Sequence, residues 1–289
     1  MNMSSDKRRG GVLIPIGGGE DRGEELDPIL PFEEKGVFKH VLTEANGVDS
    51  KVVLITSASS IPKEVSEQYV QGFNRLKCKK LDHFHITSKQ ECEDKELLKI
   101  ISEADVVMFT GGNQSKLPKY IAKTSLHALL MKRYQEDNLV IAGTSAGAMA
   151  MAKYMISGGS ASESLLKGAV RIRKGLAFIP GLIIDTHFVR RGRFGRLAEA
   201  LAKYPDCIGI GLAEDTGVVI KNEMDCKVIG SGMVFVMDPR GLGHNNYKVL
   251  EEGTPISLTD LNVHILANGD TFSLENMKAN VLPMGAEFI

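Results

Sequence analysis

The sequence has no tryptophan and only 4 cysteines in 289 residues, none of them in a CxxC pair. Cys78, Cys92, Cys207 and Cys226 lie far apart, which suits neither a zinc cage nor a dense disulfide framework. The expectation is reduced thiols in a cytoplasmic protein. No apolar run reaches the ~18 to 20 residues of a bilayer span, so no membrane partner is expected. Residues 1–9 are polar and basic and read as a flexible tail. The apolar stretch Val12–Ile16 that follows is too short for a secretory leader. Charge of one sign is missing too, with 35 Lys+Arg against 36 Asp+Glu. A nucleic-acid binder neutralises phosphates with excess cations, so none is expected as a partner.

The chain is 43% apolar and 25% charged, ordinary for a globular protein with a buried core. Apolar, β-branched runs recur: 11–16, 51–56, 81–86, 105–109, 139–142, 182–184 and 208–212. Helical patterns separate them at 62–77, 89–103, 116–135 and 193–203. Near-continuous apolar strands alternating with helices predict a doubly wound, mostly parallel α/β sheet with helices on both faces. After Glu214 the texture changes to short strands at 217–220, 227–229, 233–237, 263–267 and 271–274. These read as extra antiparallel strands extending or flanking the sheet, so residues 10–289 are expected to form a single α/β domain. The polar stretch 157–164 reads as a surface loop.

Ligands of an open α/β sheet bind beyond the carboxyl ends of its strands. Gly143-Thr144-Ser145-Ala146-Gly147 stands there, matching the G-x-S-x-G nucleophile elbow between a strand and a helix former. Its small flanking residues permit the sharp turn that exposes a serine hydroxyl. A serine needs a base. Of 7 histidines, only His187 follows an apolar run of the doubly wound part. His83 and His85 share a strand, His40 and His127 fall in helix patterns, His244 in a turn, and His264 in a late strand. An orienting carboxylate is also required. Glu214, which ends a strand, is best placed; Asp185 and the loop residue Glu163 are alternatives, and Asp215 would point elsewhere.

The Gly111-Gly112-Asn113-Gln114 turn lacks the Lys-Ser/Thr ending of a phosphate loop. Gly17-x-Gly19-x-x-Arg22 has arginine where the dinucleotide fingerprint needs glycine. The N–H groups of Gly112 and Ala146 are instead candidates for an oxyanion hole. Arg190, Arg191, Arg193 and Arg196 form a basic cluster beside His187. Guanidinium groups grip carboxylates bidentately, so the cluster predicts a substrate with several carboxylates.

The strings GGGEDR, FTGGNQSKL, GTSAGAMAM, DTHFVRRGRFGRL and IGIGLAEDTGVVI, in this order from about Gly10 onward, resemble the cyanophycinases. These are serine peptidases related to aspartyl dipeptidases, with a class I glutamine-amidotransferase-like fold. The resemblance implies hydrolysis of cyanophycin, a poly-aspartate backbone with arginine on each β-carboxyl, releasing β-Asp-Arg dipeptides. It implies Ser145 as nucleophile, His187 as base, and Glu214 as the relay acid with Glu163 as the alternative. It further implies Gln114, Asp185, Arg191, Arg193 and Arg196 as substrate-binding residues, no metal or organic cofactor, and a homodimer. One departure is Thr186, where the family pattern has glutamine; the shorter, branched side chain implies a pocket hydrogen bond lost or moved. The rival readings are an aspartyl or isoaspartyl dipeptidase on short peptides and a catalytically dead binding protein on the same scaffold.

Overall fold

The computed structural model describes residues 10–289, and the tail read at residues 1–9 lies outside the described residues. Five strands run parallel: β1 (Val12–Ile16), β2 (Lys51–Ile55), β3 (Lys80–Phe84), β4 (Val106–Phe109) and β5 (Val140–Thr144), in the spatial order β1-β5-β4-β2-β3. Side chains alternate across each strand, and both faces are covered. Leu13, Val53, Ile55, Val107, Phe109 and Ile141 share one core with Leu97, Ile101, Leu126 and Leu130. Ile14, Ile16, Val52, Leu54, Met108 and Ala142 share the other with Phe38, Tyr69 and Phe73. Double burial is why β1, β2, β4 and β5 read as unbroken apolar runs, whereas the edge strand β3 is half-buried to exposed and alternates.

The helices are α1 (Phe32–Lys35), α2 (Val37–Thr43), α3 (Pro62–Arg75), α4 (Lys95–Glu103), α5 (Lys116–Ile121), α6 (Ser125–Glu136), α7 (Ala146–Ala150) and α8 (Phe194–Lys203). Sequence patterns joined what local capping divides. The expected 89–103 helix starts only at Lys95, because the Asp94 carboxylate accepts the N–H groups of Glu96 and Leu97, each at 2.9 Å. The expected 116–135 helix breaks at Lys123, whose φ is +63°, and Thr124 caps α6. α1 and α2 carried too little periodicity to be read, yet they bury Phe32, Val37, Phe38, Val41 and Leu42.

The hairpin β6 (Tyr154–Gly158) and β7 (Arg171–Lys174) takes in the start of the stretch read as a loop at 157–164. β8 (Leu182–Asp185) and β9 (Ile208–Leu212), read as continuing the parallel series, belong to a second sheet. The reason lies with β10 (Thr216–Lys221), which pairs antiparallel with β1 and fills the position a continuing strand would need. β11 (Asp225–Gly230) extends the main sheet beyond β10, whereas β12 (Val234–Asp238) pairs with β9. After the two-residue pairing of β13 (His244–Asn245) with β14 (Leu258–Thr259), β15 (Asn262–Leu266) completes the second sheet in the order β15-β12-β9-β8. β16 (Thr271–Ser273) and β17 (Lys278–Asn280) finish the nine-stranded main sheet, antiparallel at that edge. The late strands therefore both extend and flank the main sheet.

Leu197, Ala200 and Leu201 of α8 and Ile184, Ile210 and Val236 of the second sheet join the core that also covers Leu13 and Ile141. All four cysteines are buried and unpaired with one another. Among the described residues no helix is long and apolar enough to cross a membrane.

Candidate active site

The carboxyl ends of β1 and β5 meet the second sheet at Ser145. This serine occupies the bend between β5 and α7 with φ +49° and ψ −107°, a conformation L-residues rarely adopt. Gly147 permits the bend, because a Cβ there would stand 2.2 Å from the Phe109 carbonyl oxygen. The turn after β1 ties the neighbouring segments together. Ile16 O accepts the Ser145 N–H at 2.9 Å, Gly17 O accepts the His187 N–H at 2.9 Å, and Gly18 O accepts the Asp215 N–H at 2.9 Å. A Cβ on Gly18 would lie 2.6 Å from His187 Nε2, so only glycine leaves space for the imidazole.

The side chains converge. Ser145 Oγ is 3.0 Å from His187 Nε2, and His187 Nδ1 is 2.6 Å from Glu214 Oε1. Arg190 Nη1 donates to Glu214 Oε2 at 2.8 Å. With the proton on Nδ1, Nε2 is free to accept the serine proton. Burial pushes the His187 imidazole below its ordinary value against the Glu214 hydrogen bond, and the charges of Arg191 and Arg193 push the same way. Desolvation opposes ionisation of Glu214, but hydrogen bonds from His187 and Arg190 hold it below the usual carboxylate range. A neutral base next to an ionised acid is the protonation pattern that proton abstraction from serine requires.

A cleft of about 340 Å³ opens above these groups, lined by Gly18, Gly19, Glu20, Arg22, Val65, Tyr69, Gly111, Gly112, Thr144, Ser145, His187 and Arg191. Gly112 is exposed in it, with φ +135°. Ala146 opens α7, whose first N–H groups have no intrahelical acceptor. A larger cavity of about 680 Å³ is lined by Phe84, His85, Ile86, Ser88, Gln90, Glu91, Glu93, Asp94 and Leu97 and shares no residue with the first. Volume does not decide between them; the nucleophile and base belong to the smaller one. Among the described residues no group of three or more His, Cys, Asp or Glu side chains is arranged to hold a metal ion.

Several residues singled out from sequence are elsewhere. Asp185 is fully buried and accepts from Arg196 Nε at 2.8 Å and Arg193 Nη1 at 3.2 Å. Arg196 is 4% exposed and also donates to Gly159 O. Arg193 donates to Thr186 O at 2.7 Å, and burial pushes its guanidinium down to about 10. This buried ion cluster braces the backbone that carries His187, and its residues are not among those that line the cleft. Gln114 is half-buried, its Nε2 donating to Ile156 O at 2.9 Å. Glu163 is exposed, and the Nδ1 it was considered for is held by Glu214. Of the expected substrate-binding residues, Arg191 alone is in the cleft. Thr186 is buried, and its hydroxyl has no partner among the described residues, so it offers the cleft no hydrogen bond.

Sequence reading assigned no role to Glu20, Arg22 or Tyr69. The Glu20 side chain is 1% exposed. It accepts from Thr144 Oγ1 and from Tyr69 OH, each at 2.6 Å, and so anchors the residue before the nucleophile. The signal was the charged triplet Glu20-Asp21-Arg22 at the end of the glycine turn that follows a strand, a place where charge is costly unless it is used. Tyr69 gave none, since it follows the apolar face of α3.

The family model "Peptidase family S51" matches residues 31–227. A cyanophycinase from Geminocystis herdmanii is 32% identical over 265 residues, 92% of this chain and 94% of that protein. One from Trichormus variabilis is 31% identical over 272 residues, 94% of this chain and 88% of that protein. Among solved structures, a peptidase from an acI-B1 Actinobacterium shares the fold with TM-score 0.61 at 19% identity, covering 90% of this chain and 98% of its own. A putative peptidase E from Listeria monocytogenes gives TM-score 0.51 at 16% identity, covering 76% of this chain and 97% of its own. The chain belongs to peptidase family S51 and is a serine-type peptidase.

Proposed function

We propose that this chain is an exopeptidase that hydrolyses the poly-aspartate backbone of cyanophycin and releases β-Asp-Arg dipeptides through an acyl-enzyme. The observation that carries the chemistry is the 3.0 Å contact of Ser145 Oγ with an imidazole whose other nitrogen is 2.6 Å from Glu214. Support for the substrate comes from relatives named as cyanophycinases, 29–32% identical over more than nine-tenths of this chain.

In this reading His187 takes the Ser145 proton as Oγ attacks an aspartyl peptide carbonyl. The Gly112 and Ala146 N–H groups stabilise the oxyanion. Glu214 steadies the imidazolium, which gives its proton to the departing amine. Water, deprotonated by the same imidazole, then attacks the acyl-enzyme, and collapse of that second intermediate frees the product acid and Ser145. Arg191 attracts substrate carboxylates. Residues 10–289 act as one α/β peptidase unit, a reading supported by the core shared between the two sheets. The reduced thiols support a cytoplasmic setting, and a homodimer follows the family habit.

The test is mass spectrometry of products after incubation with cyanophycin, run beside a chain-length series. Accumulation of β-Asp-Arg from the polymer is the expected result. Cleavage of dipeptides with the polymer left intact would replace this substrate by short aspartyl or isoaspartyl peptides. Labelling of Ser145 by a fluorophosphonate separates a working site from an inert binding scaffold.

A further inference from the structure

The cations expected to hold substrate carboxylates are mostly engaged elsewhere. Arg193 and Arg196 are bound to Asp185, and Arg190 to Glu214. The cleft nevertheless has a second guanidinium beside Arg191, that of Arg22. It is mounted rigidly. Its Cζ sits 4.6 Å from the centre of the Tyr69 ring, and Nη1 donates to Gln68 Oε1 at 2.6 Å. Stacking and one firm hydrogen bond fix the plane of the fork and remove most of its rotamer freedom before any ligand arrives. The fork is not saturated, since each terminal nitrogen carries two hydrogens and makes one protein contact. Nη2 makes one long contact, 3.4 Å to Glu20, while Nε is buried and has no hydrogen-bond partner among the described residues. The side chain remains 26% exposed. A guanidinium serving only to neutralise Glu20 would close on it and bury; this one faces the cleft.

We propose that Arg22 is a specificity-determining residue that binds, together with Arg191, the free α-carboxylate of the arginine carried on each backbone aspartate of the substrate. The proposal rests on the cyanophycin reading above. In that substrate the arginine is joined through its α-amine, so its carboxylate and its guanidinium are both free. Two arginines in one cleft repel the guanidinium end and select the carboxylate end, with the planar geometry that bidentate pairing needs. Arg22 and Arg191 thereby orient the side chain of the residue whose backbone carbonyl meets Ser145, and they discriminate against plain poly-aspartate.

The experiment compares two peptides with the same poly-aspartate backbone, one bearing arginine on each β-carboxyl and one bearing agmatine, which lacks the carboxylate. The wild-type enzyme is expected to favour the arginine peptide. A charge-assisted hydrogen bond contributes about 1.5–3 kcal/mol, so Arg22→Gln should lower the ratio of kcat/KM values, arginine over agmatine, about 10- to 100-fold, mostly through KM. Arg22→Lys, which keeps the charge but loses the fork, should fall between. A wild-type ratio near one, or an Arg22→Gln ratio equal to wild type, overturns the role. So does an equal loss of kcat on both peptides, which would place Arg22 behind Glu20 as a scaffold. If Arg22→Gln does not fold, a wild-type ratio in Arg22→Lys overturns it instead. Failure of the wild-type enzyme to cleave either peptide overturns the substrate reading itself, and this proposal with it.

Discussion

Two groups of charge lie on either side of the His187 backbone, built from the same residue types. In front are Glu214, Arg190 and Arg191, with the Arg190 side chain 75% exposed. Behind are Asp185, Arg193 and Arg196, with Asp185 fully buried and Arg196 4% exposed. The front group is wet, so its members act on a proton or a ligand. The rear group is dry, so each charge there needs its partner to exist at all. One short string, RRGRFGR, supplies arginines to both because Gly192 turns the chain with φ +57° before α8 begins. A motif therefore does not assign a role; burial does.

Breaking the front group should cost chemistry and leave the fold. Ser145→Ala is expected to lower kcat on the order of 10⁴- to 10⁶-fold with an unchanged melting temperature, measured by product formation and calorimetry. Glu214→Gln should lower kcat on the order of 10²- to 10⁴-fold, since imidazole orientation and charge compensation are both lost. Breaking the rear group should cost stability first. Arg196→Met leaves Asp185 with Arg193 alone and is expected to destabilise the protein by about 3 kcal/mol in urea unfolding. A variant with full stability and a raised KM would return Arg196 to the substrate pocket.

The pH profile is the finest probe. The base works only when neutral, so kcat/KM rises with pH and levels off above the His187 pKa, which burial holds below the ordinary 6.5. The acid limb should therefore lie at lower pH than for a solvated histidine. Arg191→Gln removes a charge that pushes this pKa down and should move the limb to higher pH.

Much of this was legible in the chain. Four of the five parallel strands announced themselves because both of their faces are buried, and the edge strand β3 did so by its alternation. The bend at Ser145 was legible because its context, strand then small residues then helix, is local. His187 and Glu214 were legible as residues that follow strands. The second sheet was not, because periodicity says that β8 and β9 are strands but not which edge they pair with. Nor was the division of the arginines, since a buried and an exposed guanidinium look alike in sequence. Glu20 and Tyr69 touch across 49 residues of chain, and no pattern of spacing marks such a contact.

The turn after β1 carries a further consequence. Its carbonyls receive amide hydrogens from Ser145, His187 and Asp215, which come from different parts of the chain. During synthesis the hydroxyl emerges well before the imidazole, and the imidazole before the acid. Until all of them have docked on that early glycine turn, hydroxyl, imidazole and carboxylate are not held in hydrogen-bond order. The hydrolytic apparatus is therefore assembled only once the segment that carries Glu214 and Asp215 has docked on residues laid down at the start of the fold.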